Sequence, residues 1–297
     1  MTVTADADAK LPAELGATSA KRTATTRRLP LSAKIAAVVI ALIALAAIFA
    51  PLLTSYSPTQ GVLTDRLLAI GAPGHLLGTD DQGRDIFTRL LYGARPSLLT
   101  GLIPVAVSGT VGTALGLIAG MGSKAIRATI MRTLDVFYAF PAVLLAIAIA
   151  AALGSGISNS IIALAVILIP PVARVAETET SRVRPADFVE AARASGASRT
   201  AIAIRQVLPN IAPAVVVYCT ALIGLSIVYA AGLSYLGLGI SPPAPEWGLM
   251  ISDLQQDIFT NPQLLLVPAI AVLVASVAFN VLGDGLRSYL NVRSDLM

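Results

Sequence analysis

Thirty-eight consecutive residues, Val136 to Ala173, carry no charge, and this single run constrains the chain more than any other feature. At about 1.5 Å of rise per residue it makes roughly 57 Å of helix, too long for one crossing of a hydrocarbon core about 30 Å thick. Gly154-Ser155-Gly156 interrupts the run near its middle. It therefore reads as two passes joined by a tight turn, with cytoplasmic ends that borrow residues from Thr129 to Asp135 and from Arg174 onward. Four further apolar runs, Ile35 to Leu53, Leu98 to Met121, about Ile211 to Gly232 and about Leu264 to Gly283, bring the count to six spans. The composition agrees: 56% of the 297 residues are hydrophobic and 13% charged, and a soluble fold of this length needs far more charge to coat its core. The expected fold class is an all-α membrane protein with six transmembrane helices.

Lys and Arg set the orientation, because cytoplasmic segments carry the positive excess. With the N-terminus inside, 17 of the 21 basic residues fall in cytoplasmic segments and only Arg66, Arg84, Arg89 and Arg95 lie outside. The chain is read as N-in, C-in, and its formal charge of +4 reflects topology, with no need for a nucleic-acid partner. The expected layout is a disordered cytoplasmic tail over residues 1–33, a first helix over 34–53 and an outer loop over 54–97. A five-helix core over 98–292 follows, holding a cytoplasmic loop at 174–210 and an outer loop at 233–263, before a short cytoplasmic tail at 293–297. The first apolar run is longer than the core of a cleaved signal, and the polar tail before it is too long for a signal's basic leader.

Several chemistries are closed to such a chain. His75 and Cys219 are its only imidazole and thiol, far apart, so neither a zinc cluster nor an internal disulfide is expected. None of the four lysines follows a glycine, which removes the P-loop, and no Gly-x-Ser-x-Gly elbow occurs. No acidic or basic residue sits in the middle of a span, so the ion sites of ion-coupled carriers have no obvious residues. Catalytic residues, metal ligands and cofactor ligands are all expected to be absent, and the driving energy must come from elsewhere. Ser108, Gly112, Gly116 and Gly120 place a small residue at every fourth position of the second span, a stripe suited to close helix packing. Pro104, Pro141, Pro170, Pro171 and Pro213 fall within or at the ends of spans, where they remove helix hydrogen bonds and permit kinks.

The cytoplasmic loop at 174–210 is the most informative segment. Asp187 and Glu190 have the N-cap and N3 spacing of a capping box, Gly196 is placed to end that helix, and Ser198 can cap a second one that Pro209 would stop or redirect. The expected unit is helix, glycine turn, helix, with Phe188, Ala191, Ala192, Ile202 and Leu208 on an apolar face and Arg193, Arg199 and Arg205 on a basic one. A DNA-reading helix-turn-helix has a similar rhythm, but two spans flank this one. A solvated linker and a docking element for a cytoplasmic partner are the other two readings.

Glu190-Ala191-Ala192, Gly196 and Leu208-Pro209 resemble the EAA motif of bacterial ABC importer permeases. Four further segments resemble the C-type permease of dipeptide and oligopeptide importers. They are Leu77-Gly78-Thr79-Asp80 with Gly83-Arg84-Asp85 and Arg89, then Met131-Arg132 with Asp135 and Phe140-Pro141, then Leu233 to Gly239 with Pro242-Pro243 and Trp247-Gly248, and finally Asn280 to Arg287. Together the resemblance covers about residues 31 to 292. It departs from the family at Gln206, where His is frequent, at Ile169-Pro170-Pro171 and at the C-terminal end. It implies a type I importer permease fold in a bacterial inner membrane, a heterodimer with a second, B-type permease, two cytoplasmic ATPase subunits that hold ATP and magnesium, and an extracytoplasmic binding protein. The chain itself would be no enzyme. In its coupling element Glu190 would cap and orient the helix, Ala191 and Ala192 would permit close approach and Gly196 would supply the turn, with Asp187, Leu208 and Pro209 completing the set of coupling residues.

On the outer side, Pro242, Pro243, Trp247 and Gly248 are candidates for a gate, with a plain interfacial anchor as the alternative for Trp247. Asp80, Arg84 and Asp85 are candidates for contact with the binding protein, with structural pairing among them and Asp81 as the favoured reading. Tyr218, Ser226 and Tyr229 of the fifth span are candidates to face the pathway. The substrate is read as a di- or oligopeptide, with nickel, opine or glutathione on the same machinery as alternatives, and an uncoupled channel or scaffold subunit as a different class.

Overall fold

The computed structural model describes residues 29–290, so most of the expected N-terminal tail and all of the C-terminal tail lie outside the described residues. The described chain is helical, with two isolated bridges in the first outer loop, Ala72 with His75 and Thr79 with Asp85. We number its longer helices α1 (Leu31–Ile48), α2 (Ile86–Met121), α3 (Lys124–Tyr138), α4 (Ala142–Leu153), α5 (Ile157–Val183), α6 (Asp187–Ala194), α7 (Leu208–Tyr235), α8 (Trp247–Leu254) and α9 (Pro262–Leu290). Among the described residues α1, α2, α5, α7 and α9 are long and apolar enough to cross a membrane singly.

The sixth crossing differs from the single pass expected of it. α3 and α4 meet at 87° across Ala139-Phe140-Pro141, with Pro141 at the N-cap of α4. Proline has no N–H to continue the ladder and disfavours helical backbone at the residue before it, so the break falls where the sequence changes from amphipathic to wholly apolar. Gly154 and Gly156, at φ of 89° and 141°, then turn the chain directly into α5.

Helix ends also differ from the edges of the uncharged runs. α2 begins at Ile86 rather than Leu98 and takes Arg89 and Arg95 into its first turns, while α5 continues past Arg174 to Val183. A charge marks where a helix can leave hydrocarbon, not where its hydrogen bonds must stop.

The small-residue stripe of α2 packs inside the chain, against α5. A Cβ added at Gly112 would stand 2.8 Å from that of Val172, one at Gly116 would meet the Ala173 carbonyl, and one at Gly120 would strike Thr180. Ser108 is fully buried, its Oγ donating to the Val105 carbonyl at 3.2 Å. A second core gathers Ile86, Leu98, Trp247, Leu264 and Phe279, where α2, α8 and α9 converge, and the partly buried Ile40 and Ile43 of α1 pack against it.

Candidate functional site

Two assemblies at opposite ends of the bundle carry most of the polar chemistry. The outer one is built on the N-terminus of α2. Asp85 caps that helix, its Oδ2 accepting from the Thr88 amide and hydroxyl, each at 2.7 Å, while its Oδ1 lies 2.9 Å from His75 Nδ1. Asp80 folds the loop before it, with Oδ1 accepting from the Gln82 and Arg84 amides at 2.9 Å and Oδ2 accepting from Arg84 Nε at 2.6 Å. Arg89, one turn into α2, approaches the same Oδ2 at 3.3 Å.

Both guanidinium groups then reach across the fold to α8. Arg84 Nη2 and Arg89 Nη2 each donate to Asp253 Oδ2 at 3.2 Å, and Arg89 Nη1 donates to the carbonyls of Pro58 and Pro243. Arg84 and Arg89 are only 1% exposed, Asp80 3% and Asp85 4%. Burial raises the Asp253 carboxyl above the ordinary carboxylate range and Asp81 and Asp80 add to the rise, while Arg89 and Arg84 oppose it. Asp81 is raised in the same way, by burial first and then by Asp80.

This geometry corrects the reading of Asp80, Arg84 and Asp85 as contacts for a soluble protein. Side chains this buried present nothing to a docking partner, and their partners are one another, as the second reading of the loop had it. Trp247 is likewise no interfacial anchor: it is 2% exposed, and its Nε1 donates to the Leu90 carbonyl at 3.0 Å. Gly248 lets α8 lie directly on the Ala231 carbonyl of α7. Pro243 is held by Arg89 through its carbonyl, while the Pro242 and Pro243 rings remain exposed. Glu246 caps α8 by accepting from the Leu249 amide at 2.9 Å, and it also accepts from Ser97 Oγ of α2 at 2.9 Å. Glu246 and Asp253 escaped the sequence reading; the only available signal was acidic residues near an otherwise apolar stretch.

The inner assembly is the loop between α5 and α7. α6 spans Asp187–Ala194, but its N-cap is Ala186 and no side chain caps it. Asp187 is already inside the helix and cannot reach back to the amides a capping box would satisfy, so that expectation is overturned. Its charge and that of Glu190 still complement the helix dipole. The other end follows the expected chemistry: Gly196, at φ +81°, lets its own amide donate to Arg193 and the Ala197 amide donate to Ala192, closing a Schellman motif. Ser198 then caps the next helical turn, Arg199–Ile202, by accepting from the Ala201 amide at 3.2 Å.

Pro209 neither stops nor redirects the chain. A π-helical turn, Ala203–Val207, precedes it, with the Leu208 amide donating to the Ala203 carbonyl. The extra residue in that turn makes room for the proline ring, whose missing N–H would otherwise leave a gap in the ladder. The path from Arg199 to Tyr235 is therefore continuous.

Val189, Ile202, Val207 and Ile211 form a buried cluster on which Leu117 and Met121 of α2 and Val183 of α5 pack. Arg184 donates to the carbonyls of Gly120 and Gly122, fastening the same helix ends. The inward anchor of α6 is Val189. Phe188, Glu190 and Ala191 are exposed and Ala192 is half-buried, so the expected apolar face is divided between an inner anchor and an outer surface.

Between the two assemblies, Tyr218 and Tyr229 of α7 line a cavity of about 220 Å³ at the bend between α3 and α4. Ser226 does not join them; it is fully buried and donates to the Thr100 carbonyl at 3.0 Å, a packing contact with α2.

Comparison with known proteins adds the following. The family described as "Binding-protein-dependent transport system inner membrane component" matches residues 112–295, and "N-terminal TM domain of oligopeptide transport permease C" matches residues 32–69. The dipeptide transport system permease protein DppC of Alkalihalophilus pseudofirmus is 43% identical over 83% of this chain and 81% of its own length. The glutathione transport system permease protein GsiD of Pectobacterium atrosepticum is 43% identical over 76% of this chain and 75% of its own. Among solved structures, a chain of the MetNI methionine ABC transporter in an inward-facing conformation superposes with a TM-score of 0.58 at 19% identity, covering 68% of this chain and 96% of that one. At that identity the likeness concerns the fold.

Proposed function

The chain belongs to the family of binding-protein-dependent transport system inner membrane components, and from that premise we propose that it forms half of a peptide pathway worked by cytoplasmic ATPase subunits through α6. It is a multi-pass permease of an ABC importer in a bacterial inner membrane, and it is not itself an enzyme. In this proposal the second half is a B-type permease, ATP and magnesium bind two ATPase subunits rather than this chain, and an extracytoplasmic binding protein delivers the substrate. Di- and oligopeptides are the proposed substrate class. Glutathione, itself a tripeptide, fits the same reading.

One observation carries the coupling role. α6 is fixed to the bundle from below by Val189, yet it leaves Phe188, Glu190 and Ala191 open to the outside. A solvated linker would not expose a phenylalanine on a helix so firmly seated, nor join that helix to the ends of two spans through Leu117, Met121 and Val183. When the ATPase pair closes on ATP, α6 is displaced as a unit about Gly196, and the motion passes into α2, α5 and α7.

The test is reconstitution of this permease with its partner permease, ATPase subunits and binding protein. Liganded binding protein should stimulate ATP hydrolysis and peptide uptake together. Gly196→Val, a β-branched residue forced to positive φ, should cut uptake at least tenfold while hydrolysis persists. Gly196→Asn, which tolerates that backbone, should retain most uptake. Full uptake by an assembled Gly196→Val complex would sink the coupling role.

A further inference from the structure

We infer that the cavity at the α3–α4 bend is a selectivity site for the moving substrate, taking one apolar side chain at a time while tyrosine hydroxyls hold the peptide backbone. This inference rests on the peptide reading above and deepens it.

The cavity is framed by Phe137, Tyr138 and Phe140 at the bend, Pro171 of α5, and Tyr218 and Tyr229 of α7. Its volume, about 220 Å³, is below the roughly 300–1,000 Å³ of pockets that enclose a drug-sized molecule, so it suits a side chain or two rather than a whole oligopeptide. Along α7 its lining residues Tyr218, Leu222, Leu225 and Tyr229 stand at i, i+4, i+7 and i+11, one stripe rising about 16 Å through the bundle. A groove of that length tracks a path, not a point.

Its chemistry separates it from surfaces that meet lipid. Two other recesses, both beside α1 and α9, are lined by aliphatic side chains apart from Ser32 and Trp247. Here three phenols line one recess, and among the described residues none of the Tyr138, Tyr218 or Tyr229 hydroxyls has a hydrogen-bond partner in the chain. Against hydrocarbon an unpaired hydroxyl is costly, whereas against a passing chain of amides it is a donor and acceptor in place. Beside the cavity, Arg174 pairs with Asp135 and lies 4.8 Å above the Tyr138 ring. Both charges are more than half exposed, and they are opposite in sign, as are the termini of a peptide.

The experiment uses the assembled transporter in proteoliposomes, with binding protein saturated in turn by Ala-Ala, Leu-Leu or Phe-Phe, and reads maximal uptake of each beside stimulated ATP hydrolysis. Tyr218→Ala should raise the ratio of Phe-Phe to Ala-Ala uptake at least fivefold. The double variant Tyr218→Phe/Tyr229→Phe should lower uptake of all three at least fivefold with hydrolysis still stimulated. It decides the matter if Tyr218→Ala fails to assemble. Val274→Ala, in the aliphatic recess between α1 and α9, should leave ratios and rates unchanged. Rates and ratios within twofold of wild type in both tyrosine variants, or an equal shift in Val274→Ala, would overturn the inference while leaving the transporter a peptide importer. A wild-type complex that hydrolyses ATP but imports none of the three peptides would instead remove the peptide reading and this inference with it.

Discussion

The outer platform and the coupling loop are both charged segments between spans, yet they solve opposite problems. In the platform the central charges find their counterparts inside the chain: Asp80 holds Arg84 and Arg89, and both arginines hold Asp253 on a helix more than 150 residues away. In the coupling loop Glu190, Arg193, Arg199 and the Ala191 face are exposed, while Val189 with its cluster and Arg184 are spent on the bundle. A charged loop whose ions are satisfied internally is a structural clamp. One whose helix is anchored on a single side is built to meet something else.

The largest effect that would break this comparison is the loss of Arg89. Arg89→Met leaves the buried Asp80 and the partly buried Asp253 with one cation fewer, and removing one member of a buried ionic group costs about 3–5 kcal/mol. We expect a steep fall in melting temperature of the detergent-purified protein and poor assembly with the partner permease. Glu190→Gln, by contrast, should change stability by no more than about 0.5 kcal/mol while impairing coupled uptake. Equal melting temperatures for the two variants would abolish the distinction between clamp and docking surface.

A smaller effect tests the same division within the helices. Gly116→Ala pushes a methyl against the Ala173 carbonyl and the backbone of Glu177, an overpacking that should cost about 1–3 kcal/mol. Gly232→Ala, in α7, meets nothing within 4 Å, and it should be neutral or stabilising by up to about 1 kcal/mol in the isolated chain. Thermal melts of the two variants, measured side by side, separate a glycine needed for contact within the chain from one that faces open space. A destabilised Gly232→Ala with an unaffected Gly116→Ala would reverse the assignment of the α2 stripe to internal packing.

Where the sequence was legible, the signal was local or periodic. The uncharged runs located the crossings, the four-residue spacing of Gly112, Gly116 and Gly120 identified a packing face, and Gly196 with Ser198 marked a turn and a cap, because each depends on residues within a few positions of one another. Three features were not readable in this way. A kink at Pro141 was foreseeable, but its 87° sharpness required knowing that α4 would be only 12 residues long. The partner of Arg84 and Arg89 lies on α8, too distant for any spacing rule. Pro209 resembles a stop signal until the π-helical turn before it is seen to absorb its cost. The candidate cavity was partly visible, as Tyr218 and Tyr229, but Ser226 shares their helix and faces the other way.

The smallest effect concerns the two ends of the coupling element and sharpens what its residues are for. Ser198 accepts a hydrogen bond from the Ala201 amide, so Ser198→Ala should cost the helix start about 1 kcal/mol. Asp187 caps nothing and contributes only through the helix dipole, so Asp187→Ala should cost about 0.3–1 kcal/mol at low ionic strength and less in salt. Hydrogen exchange reads both directly: Ser198→Ala should accelerate exchange at Ala201 and the residues just beyond it at any salt concentration, whereas the acceleration in α6 caused by Asp187→Ala should fade as salt is raised. A salt-independent effect of Asp187→Ala, equal to that of Ser198→Ala, would restore the capping box that the geometry denies. If the difference holds, the acidic start of α6 is free of capping duty, and its exposed carboxylates remain available to whatever surface closes over that helix.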